Sequence, residues 1–291
     1  MKFILGIILF ISLSAFSLPD QKTRLAAAWN TFAVVGDAGV RTKTTETLRN
    51  ILKANNLNQI LMLGDNQYLP YESYEYIWDI WKQQGFQFPL VAIGNHNTGY
   101  DKEVKYFQLP GEYYAKEFNG ALFIVLNSDN KNNYAEQIKW ADQVLAQSTY
   151  KLNFVIYHHP SVSLTKNHKW EERLNFQMGM RAIIKKYAAK ITALMNGHDH
   201  AAGFYLLNNV PLILSGASFE EKTLSSPVIK DFGFNVTQGW GSKGGYWWSK
   251  LDYNSSTQEV WIHYYRFDNH SQESCSIRVS PKPLARARNC Q

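Results

Sequence analysis

Five times along this chain a short apolar run stops at a small cluster of polar, metal-binding side chains. Residues 31–35 lead into Gly36-Asp37, residues 60–63 into Gly64-Asp65, and residues 90–93 into Gly94-Asn95-His96. Residues 154–157 lead into His158-His159, and residues 191–195 into Gly197-His198-Asp199-His200. Runs of this length are those of buried strands, and buried strands that alternate with helices build α/β sheets. The intervening stretches 42–54, 74–84, 135–146 and 178–187 read as helices, the first with threonines as caps and Leu48, Ile51 and Leu52 on one face. Residues 121–126 read as another strand. From Gly203 the apolar period shortens to two, which predicts strands over 204–207, 211–214, 246–253 and 260–267, the last two joined by a turn at Asn254-Ser255-Ser256-Thr257. No internal repeat and no Pro/Gly/Ser linker interrupts the pattern. One α/β domain is expected, with mixed sheets inside and helices outside.

In an open α/β sheet, the loops beyond the carboxyl ends of the strands form the ligand crevice. The five clusters deliver Asp37, Asp65, Asn95, His96, His158, His198 and His200 to that crevice. One such cluster reads as a helix cap or a satisfied core group; five in succession do not. Two carboxylates, an amide oxygen and three imidazoles exceed the needs of one structural zinc. They suit two cations that share a bridging carboxylate, and Asp65 is the natural bridge. Two metals about 3.5–4 Å apart can clamp the attacking and leaving oxygens of a phosphoryl transfer.

Composition narrows the alternatives. Apolar residues make up 45% and charged residues 19% of 291, which excludes a disordered or fibrous chain. The net charge of +6 suits an anionic substrate, although a solvated basic surface accounts for most of it. No nucleic-acid recognition motif is present, so no nucleic-acid partner is expected. Met1-Lys2, an apolar run over 3–16 and Ala15-Phe16-Ser17 read as a signal peptide over 1–17, cut after Ser17, followed by a single domain over 18–291; the alternative is an uncleaved anchor. No later apolar run is long enough to span a bilayer. Cys275 and Cys290 either pair or remain free thiols on a loose tail, and their spacing excludes a zinc knuckle.

The motifs Gly36-Asp37-Ala38-Gly39, Gly64-Asp65-Asn66-Gln67-Tyr68, Gly94-Asn95-His96, His158-His159-Pro160 and Gly197-His198-Asp199-His200 resemble the ordered motifs of calcineurin-like metallophosphoesterases. Within that superfamily they most resemble the small, tartrate-resistant purple acid phosphatases. Gly39 stands where the wider superfamily has a histidine, and Tyr68, three residues after Asp65, makes good the lost ligand. Leu214-Ser215-Gly216-Ala217 is similar to a late stretch of the same family, and the resemblance runs from about residue 31 to 218. It implies a four-layer α/β/β/α sandwich with two central mixed sheets. It implies an iron(III) held by Asp37, Asp65, Tyr68 and His200, and a divalent iron, zinc or manganese held by Asp65, Asn95, His158 and His198, with His159 pointing away.

The activity so implied is hydrolysis of phosphate monoesters at acidic pH by hydroxide held on the metals. His96 would lie near the phosphate and His168 would act as general acid. Rival readings are a phosphodiesterase acting on nucleotides or phospholipid headgroups, and a metal-retaining binding protein with weak catalysis. The chain departs from the family at Asn97, where an acid that orients His96 is usual, and at Ala38 and Gln67, which replace aromatic residues expected at the rim. A small-molecule or protein phosphate ester is the expected partner, with no membrane association after leader removal. The expected state is a monomer, secreted, periplasmic or, in a eukaryote, lysosomal. Asn235, Asn254 and Asn269 begin glycosylation sequons.

Overall fold

The computed structural model of the chain describes residues 29–163, 165, 168–218, 236–242, 244–268, 273–282, 285–288 and 290. The expected leader and the sequons at Asn235 and Asn269 lie outside these residues. Two mixed sheets, each with seven strands among the described residues, pack face to face. In the first, β1 (Asn30–Val35), β2 (Gln59–Met62) and β3 (Gln87–Val91) run parallel. On the other side of β1 the sheet continues antiparallel through β11 (Trp247–Asn254), β12 (Glu259–Arg266), β13 (Cys275–Ser280) and β14 (Ala285–Arg288).

The second sheet has a parallel centre of β9 (Val210–Ser215), β7 (Ala193–Asn196), β6 (Leu152–Ile156) and β5 (Ala121–Val125). Antiparallel β4 (Tyr114–Phe118) borders β5, while β8 (Ala202–Leu207) and β10 (Val236–Gly241) extend the opposite side. Every residue of β5 and β6 is buried, as expected of parallel strands covered on both faces. Phe32, Val34, Leu61 and Tyr253 from the first sheet meet Phe123 and Phe154 from the second in the layer between the sheets, where the Phe32 and Phe123 rings lie 5.9 Å apart.

Helices α1 (Lys43–Ala54), α2 (Tyr74–Gln83) and α3 (Tyr100–Phe107) cover the outer face of the first sheet. Helices α4 (Tyr134–Gln147) and α5 (Leu174–Lys186) cover the second. The expected four-layer α/β/β/α sandwich is therefore what the chain forms. Thr42 caps α1 through a reciprocal pair with Thr45, and Leu48, Ile51 and Leu52 are buried beneath it, as the periodicity predicts.

Of the two alternatives for the cysteines, pairing is the one found: β13 and β14 extend the first sheet, and Cys275 is joined to Cys290 by a disulfide. Asn254 is buried, and its Oδ1 accepts the backbone N–H groups of Ser256 and Thr257, so this sequon is built into a turn. Ala38 is buried, whereas Gln67, though buried, lines a pocket with Tyr71, Glu72 and Tyr74. Among the described residues no helix is long and apolar enough to cross a membrane.

Candidate metal centre

The sequence-predicted donors converge from both sheets. Asp37, Asp65 and Asn95 follow β1, β2 and β3, while His158 follows β6 and His198 and His200 follow β7. Asp37, Asp65, His198 and His200 hold left-handed backbone, with φ of 56°, 55°, 70° and 48°. Such conformations cost non-glycine residues on the order of 1–3 kcal/mol each and cluster where surrounding contacts over-determine them. The contacts here are explicit. The Asp37 N–H donates to the Gly64 carbonyl at 3.1 Å, and the His198 N–H donates to Asp37 Oδ2 at 2.9 Å. The His96 N–H donates to Asp65 Oδ1 at 2.9 Å.

Gly39 explains how Tyr68 enters the site. Its N–H donates to the Asp65 carbonyl at 2.9 Å, and its own carbonyl accepts the Tyr68 N–H at 2.6 Å. A Cβ at position 39 would lie 2.1 Å from the Gln67 nitrogen, so no other residue fits between the two loops without displacing backbone. With those loops in contact, the Tyr68 hydroxyl donates to Asp37 Oδ1 at 3.2 Å and lies 2.9 Å from His200 Nε2. Glycine at 39 and tyrosine at 68 are thus two sides of one packing arrangement.

Asp37, Asp65 and His200 form one cluster in which a donor atom of each lies within 4.8 Å of the others. His158 bridges to it, with Nε2 3.1 Å from Asp65 Oδ1 and 3.9 Å from Asp37 Oδ1. Its Nδ1–H donates to the Leu63 carbonyl at 2.8 Å, which leaves Nε2 turned toward the carboxylates. Burial alone would lower the His158 pKa, but Asp65 and then Asp37 hold it up at about 9. Burial would raise that of Asp65, yet His158 and the His96 side hold it well below the usual carboxylate range. In the metal-free chain, a proton on His158 supplies positive charge between two buried carboxylates.

Two features differ from expectation. His159 does not point away: its ring lies 5.0 Å from that of His158 and 4.3 Å from that of His198. Glu172, in a short 3-10 turn at Trp170–Arg173, had no assigned role, yet its Oε2 accepts His198 Nε2–H at 3.1 Å. The His168 ring lies 4.1 Å from that of His198, and its Nδ1 is 3.5 Å from Glu172 Oε1. Burial opposes ionisation of Glu172, but His198 and the Lys169 N–H hold its pKa down to about 2. Burial pushes the imidazole of His159 well below its ordinary range and lowers that of His198 against the pull of Glu172. Neutral imidazole is the form that binds metal.

His96 is exposed, and its ring lies 4.5 Å from that of Tyr68. Asn97 ties its own loop: Nδ2 donates to the Gly94 carbonyl and Oδ1 accepts the Gly99 N–H. Among the described residues, buried Asn95 Oδ1 and His159 Nε2 have no hydrogen-bond partner. Burying polar atoms in this way is costly unless something else engages them. Together with two buried carboxylates they form a donor set that fits metal cations.

No protein-family model matches the sequence, and no curated protein matches it. Among solved structures, GAP50, described as the anchor in the inner membrane complex of Plasmodium, superposes with a TM-score of 0.59 at 15% identity, over 82% of this chain and 85% of that one. PhoD superposes with a TM-score of 0.59 at 12% identity, over 90% of this chain and 72% of that one. The chain has the two-sheet α/β fold of metallophosphoesterase structures, and it carries buried His/Asp clusters able to bind metal ions at the carboxyl ends of its strands. At these identities the likeness is one of fold.

Proposed function

We propose that the chain is an exported, metal-dependent phosphoesterase that hydrolyses phosphate monoesters at acidic pH. The observation that carries this reading is the convergence of Asp37, Asp65, Tyr68, His158, His198 and His200 from loops of both sheets, with Asn95 on the loop after β3. Asp37, Tyr68 and His200 would hold one cation, an iron(III), because a phenol and carboxylates are hard donors. Asn95, His158 and His198 would hold a divalent cation, with Asp65 shared between the two. When bound, these cations supply Lewis-acid charge and an acidified water.

The remaining work falls to this chain's own side chains. His96, exposed beside the Tyr68 ring, can donate a hydrogen bond to a phosphoryl oxygen. His168, packed on the His198 ring, would give a proton to the leaving oxygen. Glu172 would keep His198 oriented through its Nε2–H. A small-molecule or protein phosphate ester is the proposed substrate, acted on by a monomer after the leader is removed.

Parallel assays with an aryl phosphate and its bis-aryl diester test this reading, alongside metal content and a visible spectrum of the purified protein. The expected result is a clear preference for the monoester, with iron and a violet band. Preference for the diester overturns the monoesterase assignment. No turnover of either substrate by metal-replete protein from acidic to neutral pH would leave a metal-retaining binding protein.

A further inference from the structure

We propose that His159 is an additional metal ligand, so that the histidine-rich half of the centre offers three imidazoles and selects a zinc-like divalent cation over manganese or magnesium. This rests on the metal-dependent reading above and goes beyond the donor set that the motif resemblance implies.

One ring nitrogen from each of His158, His159 and His198 lies within 4.8 Å of the others. The second nitrogen of each ring is already engaged by a group that cannot be a cation. His158 Nδ1 bonds the Leu63 carbonyl at 2.8 Å, His159 Nδ1 bonds Ser128 Oγ at 2.8 Å, and His198 Nε2 bonds Glu172 Oε2 at 3.1 Å. The other nitrogens are His159 Nε2, His198 Nδ1 and His158 Nε2, the last of them facing Asp65 Oδ1 at 3.1 Å. A metal-binding histidine is ordinarily oriented in this way, with its other nitrogen tied to a carbonyl, carboxylate or similar partner.

His159 is also braced too thoroughly for a packing residue. Its backbone N–H donates to Ser128 Oγ at 3.1 Å, and its carbonyl accepts Gln177 Nε2–H at 2.7 Å. Ser128 is in turn fixed by the Tyr134 hydroxyl, which donates to its carbonyl at 2.8 Å. The residue is 3% exposed, yet its Nε2 has no hydrogen-bond partner among the described residues. Ring stacking does not account for the arrangement, because the planes of His158, His159 and His198 meet at 51–83°. Two nitrogens on one tetrahedral zinc stand about 3.3 Å apart, so small ring rotations within this cluster would close on a common ion. Imidazole suits zinc, whereas manganese and magnesium favour oxygen donors.

The test is calorimetric titration of the chelator-stripped full chain with Zn²⁺ and separately with Mn²⁺. Wild type would be compared with His159→Phe, His159→Gln and His158→Ala, and Co²⁺ absorption recorded for each. Both substitutions at 159 are expected to weaken the histidine-rich site for Zn²⁺ by about 10–100-fold, to change Mn²⁺ affinity there much less, and to alter the Co²⁺ spectrum. The glutamine variant keeps a polar partner for Ser128 and separates ligation from packing. Unchanged Zn²⁺ affinity and Co²⁺ spectrum in both 159 variants, with loss in His158→Ala, would overturn the proposal while sparing the metal centre. A wild-type chain that takes up neither ion would overturn both.

Discussion

Glu103 offers a quantitative test of the packing beneath the centre. It lies on α3 with 0% exposure. Its Oε1 accepts the Asn66 side-chain amide at 2.6 Å, and its Oε2 accepts the Tyr74 hydroxyl at 3.2 Å. Burial raises its pKa, those two hydrogen bonds oppose the rise, and the Asp65 charge adds to it; the result is about 8 against an ordinary 4.5. Between these values the folded chain keeps a proton that the unfolded chain has released. Stability from this group is therefore complete below the unfolded value and is lost as pH rises through the folded one. At 1.36 kcal/mol per pH unit the full interval amounts to about 5 kcal/mol, of which roughly 3–4 kcal/mol falls between pH 5 and pH 8. Glu103→Gln keeps an acceptor for Asn66 and removes the titration. Thermal melts of metal-free protein should show the variant close to wild type at pH 5 and on the order of 5–10 °C more stable at pH 8. Melting temperatures that run parallel across this range would refute the reasoning.

Two further outcomes are expected. Asp65→Asn should reduce bound metal to one ion per chain or fewer and lower phosphoesterase turnover at least about 100-fold, read by elemental analysis and steady-state kinetics; unaltered metal content would show that the bridge is misassigned. Replacing both Cys275 and Cys290 by serine opens a loop with a sequence separation of 15 and should cost about 3 kcal/mol in denaturant unfolding, with turnover at 25 °C retained.

The strand-end clusters were legible because glycine followed by a hard donor, after an apolar run, is a local signal that survives without tertiary information. Elements with weaker local signals were not. Helix α3 starts at Gly99 with no side-chain cap and ends at a left-handed Gln108. Strand β4 is a sheet border whose Lys116 and Glu117 break the apolar pattern. The segment of β13 and β14, with Arg278, Lys282, Arg286 and Arg288 and no acid, leaves pairing and a loose tail both open in sequence. Glu103 sits in Asp-Lys-Glu and Glu172 in Glu-Glu-Arg, both of which look like solvated faces. Their burial or role depends on partners 26 to 37 positions away. The motif resemblance implies His159 pointing away, but Ser128, 31 positions distant, holds its ring beside that of His158.

The donors Asp37, Asp65 and Asn95 belong to one sheet and His158, His198 and His200 to the other. A cation gripped by both groups would act as a fastener between the two halves of the sandwich, formed only once synthesis has passed residue 200. Affinity for that cation is then linked to how firmly the sheets seat on each other. Loosening the Phe32–Phe123 contact between the sheets would weaken ion retention even though every donor atom remained in place.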